Sequence, residues 1–319
     1  RFTCLERKLK SNPLVCMRCL LITSYFPPTI GGSATVYGNI HKYAEGKVVV
    51  LTTEQRKDQG DSQSSSNDNG KIYRIKELMA PSIVCKNYYQ TFSAVLRYDL
   101  PTRCIVLKTV LGIISKERID VVCVGELQEL GWLVRVLRLF ARVKVVIYTH
   151  GEEITTKSTS RFYGQNSKAY LNSADAVICV SNYTYKTILS RYNVSESKLY
   201  LITNGIDIDN YSFRSGKPCH IKAADEGSKL VFAAGRHIER KGFDMAIKAM
   251  DVVCRMIPDA HLVIAGEGET TNKLRQCIEE LDLANTVSLV GRISHEELLA
   301  YYRQCDVFLM PNRTLKNGD

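Results

Sequence analysis

Leu230-Val231-Phe232-Ala233-Ala234-Gly235-Arg236-His237-Ile238-Glu239-Arg240-Lys241-Gly242-Phe243 is the stretch on which the reading of this chain turns. Leu230 to Ala234 is short, uncharged and ended by glycine, as a buried strand is. Beyond the turn, Phe243, Ala246, Ile247, Met250, Val253, Cys254 and Ile257 fall at helical spacings. That pattern predicts an amphipathic helix over 243–257. Arg236 and Lys241 therefore sit in a turn between a strand end and a helix N-terminus. Two cations beside the positive end of a helix suit a phosphate, and the turn reads as a diphosphate site. Solvated loop cations are the competing reading.

Working outward, the second half alternates. Strands are expected over 230–234, 261–265, 287–290 and 307–310, with helices over 243–257, 271–281 and 294–303. Ser294-His295-Glu296-Glu297 has the spacing of a capping box. The first half reads similarly. A strand over 14–23 runs into Ser24-Tyr25-Phe26-Pro27-Pro28-Thr29-Ile30-Gly31-Gly32-Ser33, which is neither helix nor central strand. Ser33 is the expected N-cap of a helix to about residue 44, followed by a strand over 47–53. Strands are also expected over 71–75, 120–124, 143–149, 176–180 and 199–202. Helices are expected over 102–117, 126–141, 162–173 and 182–192. Residues 79–99 take no firm assignment. The polar run 55–70 reads as a loop, and 214–227 as a linker or long loop. Both halves are thus α/β with mostly parallel sheets. Two domains, 1–205 and 206–319, follow from this and from a length of 319 residues.

Composition narrows the class. The hydrophobic content of 45% supports a full core. No run of eighteen apolar residues occurs, so no transmembrane helix is expected. Eleven scattered cysteines suggest reduced thiols and a cytoplasmic protein. Cys16 and Cys19 form a lone CxxC and are read as core or edge cysteines, and Cys123, Cys179 and Cys305 as buried. The net charge is +10 and uneven. Residues 1–205 hold 28 Lys and Arg against 16 Asp and Glu, while residues 206–319 hold 15 against 17. A basic first half suggests an anionic lipid surface or a phosphorylated acceptor, or is only a soluble basic face. Nucleic acid is disfavoured, because no basic stripe interleaves with aromatics.

Ligands of open α/β sheets sit beyond the carboxyl ends of the strands. Four unusual sequences fall there: Pro27-Pro28 to Gly31-Gly32, His150-Gly151, Gly235-Arg236 to Lys241, and Gly266-Glu267-Gly268. Gly31 and Gly32 admit close approach of a ligand to backbone, or merely serve a tight turn. His150 is a site residue or a satisfied strand-end histidine. Gly266-Glu267-Gly268 lacks the third glycine of a dinucleotide fingerprint, which weakens an oxidoreductase reading. No P-loop and no His-Glu-x-x-His occurs. Asp207-Ile208-Asp209 could hold a divalent ion, or be a solvated turn.

In order along the chain, Leu20 to Pro28 with Gly31-Gly32, Val177 to Ser181, Asn204-Gly205-Ile206-Asp207, Gly235-Arg236 with Lys241-Gly242, Val263 to Gly268 and Pro311-Asn312-Arg313 resemble the retaining glycosyltransferases of family four. Within that family the chain resembles enzymes that mannosylate phosphatidylinositol lipids. The resemblance implies a GT-B fold: two Rossmann-like domains, an acceptor-binding first and a sugar-nucleotide-binding second, with the active site in the cleft between them. It implies that Arg236 and Lys241 hold the donor diphosphate in place of a metal. Gly31 and Gly32 would face that diphosphate, His150 would lie near the transferred sugar, and Gly266 and Gly291-Arg292-Ile293 near the base. The implied donor is a GDP- or UDP-hexose, with no cofactor and no metal. The implied acceptor is a lipid or glycan, with a cytoplasmic location, peripheral on the inner face of a membrane. The family's glutamate-bearing loop follows the Pro311 region and is not in the sequence given. The second domain is therefore expected to be incomplete, and this polypeptide to catalyse poorly. A sugar-nucleotide epimerase and a non-catalytic module for anionic lipid or nucleic acid are the alternatives.

Overall fold

The structure is a computed structural model, and it describes residues 17–29, 31–54, 71–81, 85, 87–155, 167–208 and 229–315. The chain divides into two compact units, Arg1–Ile206 and Asp207–Asp319. Expectations for 55–70, 214–227, the start of the helix at 162–173, Cys16 and Asp209 lie outside the described residues.

The first unit is built on a seven-stranded sheet. Its strands are β1 (Cys19–Ile22), β2 (Val48–Thr53), β3 (Ile72–Ile75), β4 (Val121–Val124), β5 (Lys144–Thr149), β6 (Ala176–Cys179) and β7 (Leu199–Leu201), in the spatial order β3-β2-β1-β4-β5-β6-β7. Every pairing is parallel, with Cys19 opposite Val48 on one side and Val121 on the other. Strands buried on both faces read as continuous apolar runs, which is why Val48 to Leu51 and Val121 to Val124 were legible. Leu20 and Ile22 pack with Val49, Leu51, Val122 and Val124 on one face. Leu21, Val50, Cys123 and Tyr148 pack with Phe26 and Tyr37 on the other.

The crossovers are α1 (Gly32–Tyr43), α2 (Tyr88–Ala94), a π-helical turn (Val95–Asp99), α3 (Leu100–Glu117), α4 (Leu127–Leu130), α5 (Trp132–Phe140), α6 (Glu152–Thr155), α7 (Ser167–Ser173) and α8 (Asn182–Tyr192). Buried Glu117 at the end of α3 ties three segments together. It takes hydrogen bonds from Arg18, Lys71 and Tyr73.

Several expectations are corrected. Gly31, not Ser33, is the N-cap of α1, and no side chain caps that helix. Residues 79–99 contain α2 and the π turn, which run directly into α3. The single helix expected over 126–141 is two, parted at Gly131. A Cβ there would lie 2.3 Å from the Leu127 carbonyl oxygen and 2.4 Å from the Tyr170 ring. Cys305 is half-buried, while Cys123 and Cys179 are buried. Asp207 is also buried, which goes against the solvated-turn reading of the two offered for it.

The second unit has β8 (Lys229–Ala234), β9 (Ala260–Ala265), β10 (Val287–Gly291) and β11 (Val307–Phe308), in the order β10-β9-β8-β11, again all parallel. Its helices are α9 (Phe243–Met256), α10 (Thr271–Glu280) and α11 (His295–Gln304). The faces of α9 and α10 cover Ala233, Leu262 and Ile264. On the other face Phe232 stacks on Tyr301 at 4.5 Å. Ser294 and Glu297 form the expected capping box. Each sheet reverses strand order once, between β1 and β4 and between β8 and β11. Ligands of such sheets gather at those reversals.

Candidate functional site

In the second unit, the β8 exit is held from two sides. A 3-10 turn (Glu239–Lys241) leads into Gly242, whose left-handed backbone (φ 68°) starts α9. A Cβ on Gly242 would lie 2.0 Å from the Pro311 carbonyl oxygen. Arg313 fastens the same side. Its amide donates to the Arg240 carbonyl, and its guanidinium to Asp244 at 2.9 Å.

On the other side the Gly266-Glu267-Gly268 turn closes on the β8 exit. His237 donates its amide to the Glu267 carbonyl and accepts from the Thr270 amide. Its buried ring meets the Thr271 hydroxyl at 3.0 Å through Nδ1. Burial pushes the His237 imidazole down, so the strut is neutral. A Cβ on Gly266 (φ 126°) would lie 2.0 Å from the Gly235 oxygen, and one on Gly268 2.4 Å from the His237 oxygen.

The turn so fixed carries three cations. Arg236 is exposed; Arg240 and Lys241 are half-buried. Burial, and then the charges of Arg240 and Arg236, push the Lys241 ammonium down. Cations that disfavour one another favour an anion placed among them. The other expected donor-side residues have local roles. Arg292 pairs with Glu267 at 3.0 Å, both exposed, and Ile293 packs on the cluster around Phe232 and Tyr301.

In the first unit, Gly31 and Gly32 open α1. A Cβ on either would meet nothing within 4 Å among the described residues. Gly31 is extended (φ 164°, ψ 159°), a conformation open to any residue. The tight-turn explanation for the pair is therefore removed: neither the backbone nor, among the described residues, packing requires glycine. The segment that leads to them is braced at its start by Glu126, from the β4 exit. Glu126 accepts from the Thr23 hydroxyl at 2.6 Å and from the Ser24 amide at 3.0 Å. Burial raises the Glu126 carboxyl to about 7, against the lowering effect of those hydrogen bonds.

His150 follows β5. Its ring meets Tyr37 edge-on at 5.2 Å and Tyr148 at 5.1 Å. Tyr148 in turn donates to the Asn204 side chain at 2.9 Å, and Tyr37 to the Gly125 carbonyl at 3.0 Å. The His150 amide donates to the Glu153 carboxylate. Its Nε2 is buried with no hydrogen-bond partner among the described residues. Burial lowers the imidazole to about 4, so it is neutral at pH 7 and can accept or donate one hydrogen bond.

Sequence reasoning brought out Arg236, Lys241 and His150 but missed their supports. Glu126, Tyr37, Tyr148 and His237 act through partners far away in sequence. Glu126 and Thr23 are 103 positions apart. Only the reversal between β1 and β4 joins them, and no local pattern reports it. Among the described residues, no three His, Cys, Asp or Glu side chains gather as a metal site.

The chain is similar to known proteins in sequence and in fold. The family model "Glycosyltransferase Family 4" matches residues 30–210, and "Glycosyl transferases group 1" matches residues 220–317. A GDP-mannose-dependent monoacylated alpha-(1-6)-phosphatidylinositol monomannoside mannosyltransferase of Corynebacterium glutamicum is 24% identical, over 94% of this chain and 74% of that protein. One subunit of the phosphatidylinositol N-acetylglucosaminyltransferase of Arabidopsis thaliana is 25% identical, over 93% of this chain and 63% of that protein. In structure, the chain is similar to a sucrose-phosphate synthase from Thermosynechococcus elongatus, with a TM-score of 0.66 and 19% identity over 93% of this chain and 75% of that one. That likeness is to the GT-B fold, two Rossmann-like parallel α/β domains. With one family model covering more than half of its length and the second taking up the unit that carries the Arg236–Lys241 turn, the chain belongs to glycosyltransferase family 4.

Proposed function

We propose that this glycosyltransferase moves a hexose, mannose foremost, from a nucleotide-diphosphate sugar to a lipid or glycan acceptor, with retention of configuration and without a metal. The observation that carries the reading is the β8 exit turn. It holds Arg236 and Lys241 in a backbone fixed by Gly266 and Gly268 on one side and Pro311 and Arg313 on the other. A diphosphate placed there is met by charges already in position, which is the form of transition-state stabilisation that costs no reorganisation. Arg236 and Lys241 take the charge that develops on the leaving phosphate. In the first unit, Gly31 and Gly32 leave backbone open to a ligand. His150 presents Nε2 to a hydroxyl of the transferred sugar. Gly266, Arg292 and Ile293 stand on the side of the nucleoside. Departure and attack then share one face of the sugar, which retains configuration.

The relatives support the donor and acceptor classes. The Corynebacterium enzyme is GDP-mannose-dependent, and both it and the Arabidopsis protein are named for phosphatidylinositol substrates. GDP-mannose, UDP-glucose and UDP-N-acetylglucosamine should be compared as thermal stabilisers in the presence of EDTA, and then as radiolabel donors to a lipid extract. Label in the lipid phase supports the reading. Stabilisation that EDTA abolishes would instead indicate a metal-bridged diphosphate. Interconversion of the sugar nucleotides without transfer would indicate an epimerase.

A further inference from the structure

The segment from Thr23 to Pro28, which leads from β1 toward Gly31, is held by unlike means at its two ends. Toward Pro28 the holds are permanent. Phe26 is buried edge-on to His41 at 5.6 Å, and a Cβ on Gly38 of α1 would lie 2.7 Å from the Pro27 ring. Arg74 of β3 donates to the Pro27 carbonyl at 3.0 Å and to the Thr53 carbonyl at 3.4 Å. At the start the hold is a carboxyl. Buried Glu126 accepts from the Thr23 hydroxyl through Oε1 at 2.6 Å, and both its oxygens accept from the Ser24 amide, at 3.2 and 3.0 Å. Thr23 has a second choice. Its hydroxyl stands 3.3 Å from the Tyr25 carbonyl, and its oxygen accepts from the Tyr25 amide at 3.0 Å.

We propose that Glu126 is a positioning residue for the substrate taken by the Gly31–Gly32 backbone, and that the direction of its hydrogen bond to Thr23 sets the course of the segment. It deepens the sugar-nucleotide reading above, on which it rests. As a carboxylate, Glu126 only accepts, and it draws the Thr23 hydroxyl and the Ser24 amide onto itself with charge-assisted bonds. Taking one proton from solvent turns one oxygen into a donor. That O–H points to the Thr23 oxygen, the Thr23 hydrogen turns to the Tyr25 carbonyl, and the Ser24 amide is left with an uncharged acceptor. The segment then keeps its far holds and loses the charge-assisted ones at its start. Glu129 from α4, Cys123 from β4 and Tyr37 from α1 face Glu126, with Tyr148, His150 and Glu153 around the Tyr37 ring. None of these is a cation at pH 7, so burial keeps the carboxyl near 7 and both hydrogen-bond patterns are populated there. A backbone already held in its bound course spares the ligand the cost of ordering it, so the ionised form is the binding form.

Two measurements on the full chain test this without any sugar transfer. In an NMR pH series of the free protein, the Ser24 amide should titrate with a midpoint near 7. Thr23→Val removes one bond to the charged form at nearly constant shape, and should move that midpoint up by about one pH unit. Glu126→Gln should abolish the titration. The second measurement is calorimetric titration of GDP-mannose, whose phosphates carry fixed charge in this range. The parent should bind it about threefold more tightly at pH 8 than at pH 6, and Glu126→Gln should bind equally at both, near the parent's pH 6 value. A Ser24 amide that does not titrate, or whose midpoint Thr23→Val leaves in place, overturns the proposal. So does GDP-mannose binding with the same pH dependence in the parent and in Glu126→Gln, because Glu126 is then a part of the fold only; the donor reading survives that result. A parent that binds no sugar nucleotide at either pH overturns both.

Discussion

The two glycine-bearing turns at the strand exits are built on opposite terms. In the second unit glycine is required by the protein itself: a Cβ at Gly242 or Gly266 would stand 2.0 Å from a backbone oxygen. In the first unit Gly31 and Gly32 face nothing within 4 Å among the described residues. Their braces differ as well. The second turn is held by backbone hydrogen bonds, Arg313 and the neutral His237 ring; the first segment is held by Glu126, a carboxyl that titrates. One turn is therefore closed on its own backbone, and the other leaves its glycines open among the described residues. Glycines alike in sequence carry different meanings, which the space around each one reveals.

The sharpest way to break this contrast is stability. Gly266→Ala or Gly242→Ala should cost about 3 kcal/mol or more in denaturant unfolding, because strain at positive φ adds to a backbone collision. A cost below about 1 kcal/mol would mean that the turn gives way easily and is not pre-formed.

Next in size is a pH effect. The folded-state Glu126 carboxyl sits near 7, above its usual 4.5. The folded protein then binds this proton more tightly than the unfolded chain does. Its contribution is present in full below about pH 4.5 and is lost as pH rises through about 7. The loss is at most about 3 kcal/mol. Glu126→Gln should flatten the fall in stability between pH 5 and 8 relative to the parent. Parallel pH profiles for the two proteins would contradict the burial argument.

The smaller effects sharpen the functional side. Gly31→Ala with Gly32→Ala should leave stability unchanged or raise it by about 0.5 kcal/mol, since alanine is the better helix former at position 32. The same change should weaken GDP-mannose about tenfold. Unchanged affinity would make the open glycines incidental. The smallest expected signal is from His150. With its folded-state value near 4, it should show no titration in an NMR pH series from 5 to 8. Its contribution to stability is complete above about pH 6.5 and is lost as pH falls through about 4. A midpoint near 6.5 would mean that the ring is solvated.

The second unit was largely legible in the sequence, because each buried strand reads as an apolar run and each helix shows one apolar stripe. The cap of α11 was legible for a local reason: Ser294 and Glu297 satisfy one another within one turn. The α1 cap was not, because Ser33 offers the right side chain while the backbone enters the helix at Gly31. Residues 79–99 resisted reading because their aromatics lie on an exposed face and a π turn shifts their period. At the site, the charged and glycine positions stood out by type and place. Tyr37, Tyr148, Glu126 and His237 did not, since each gains its role from a partner that only the sheet order brings near. The family resemblance rested on the same short motifs, and the matched family models now cover both units.

The central claim is that Arg236 and Lys241 form the donor-diphosphate clamp, and calorimetric titration of GDP and GDP-mannose into the parent, Arg236→Ala and Lys241→Ala tests it most directly. The account predicts that each substitution weakens both ligands by about tenfold to a hundredfold, with melting temperatures of the free proteins near the parent's. Unaltered affinity for both ligands in both variants would contradict it.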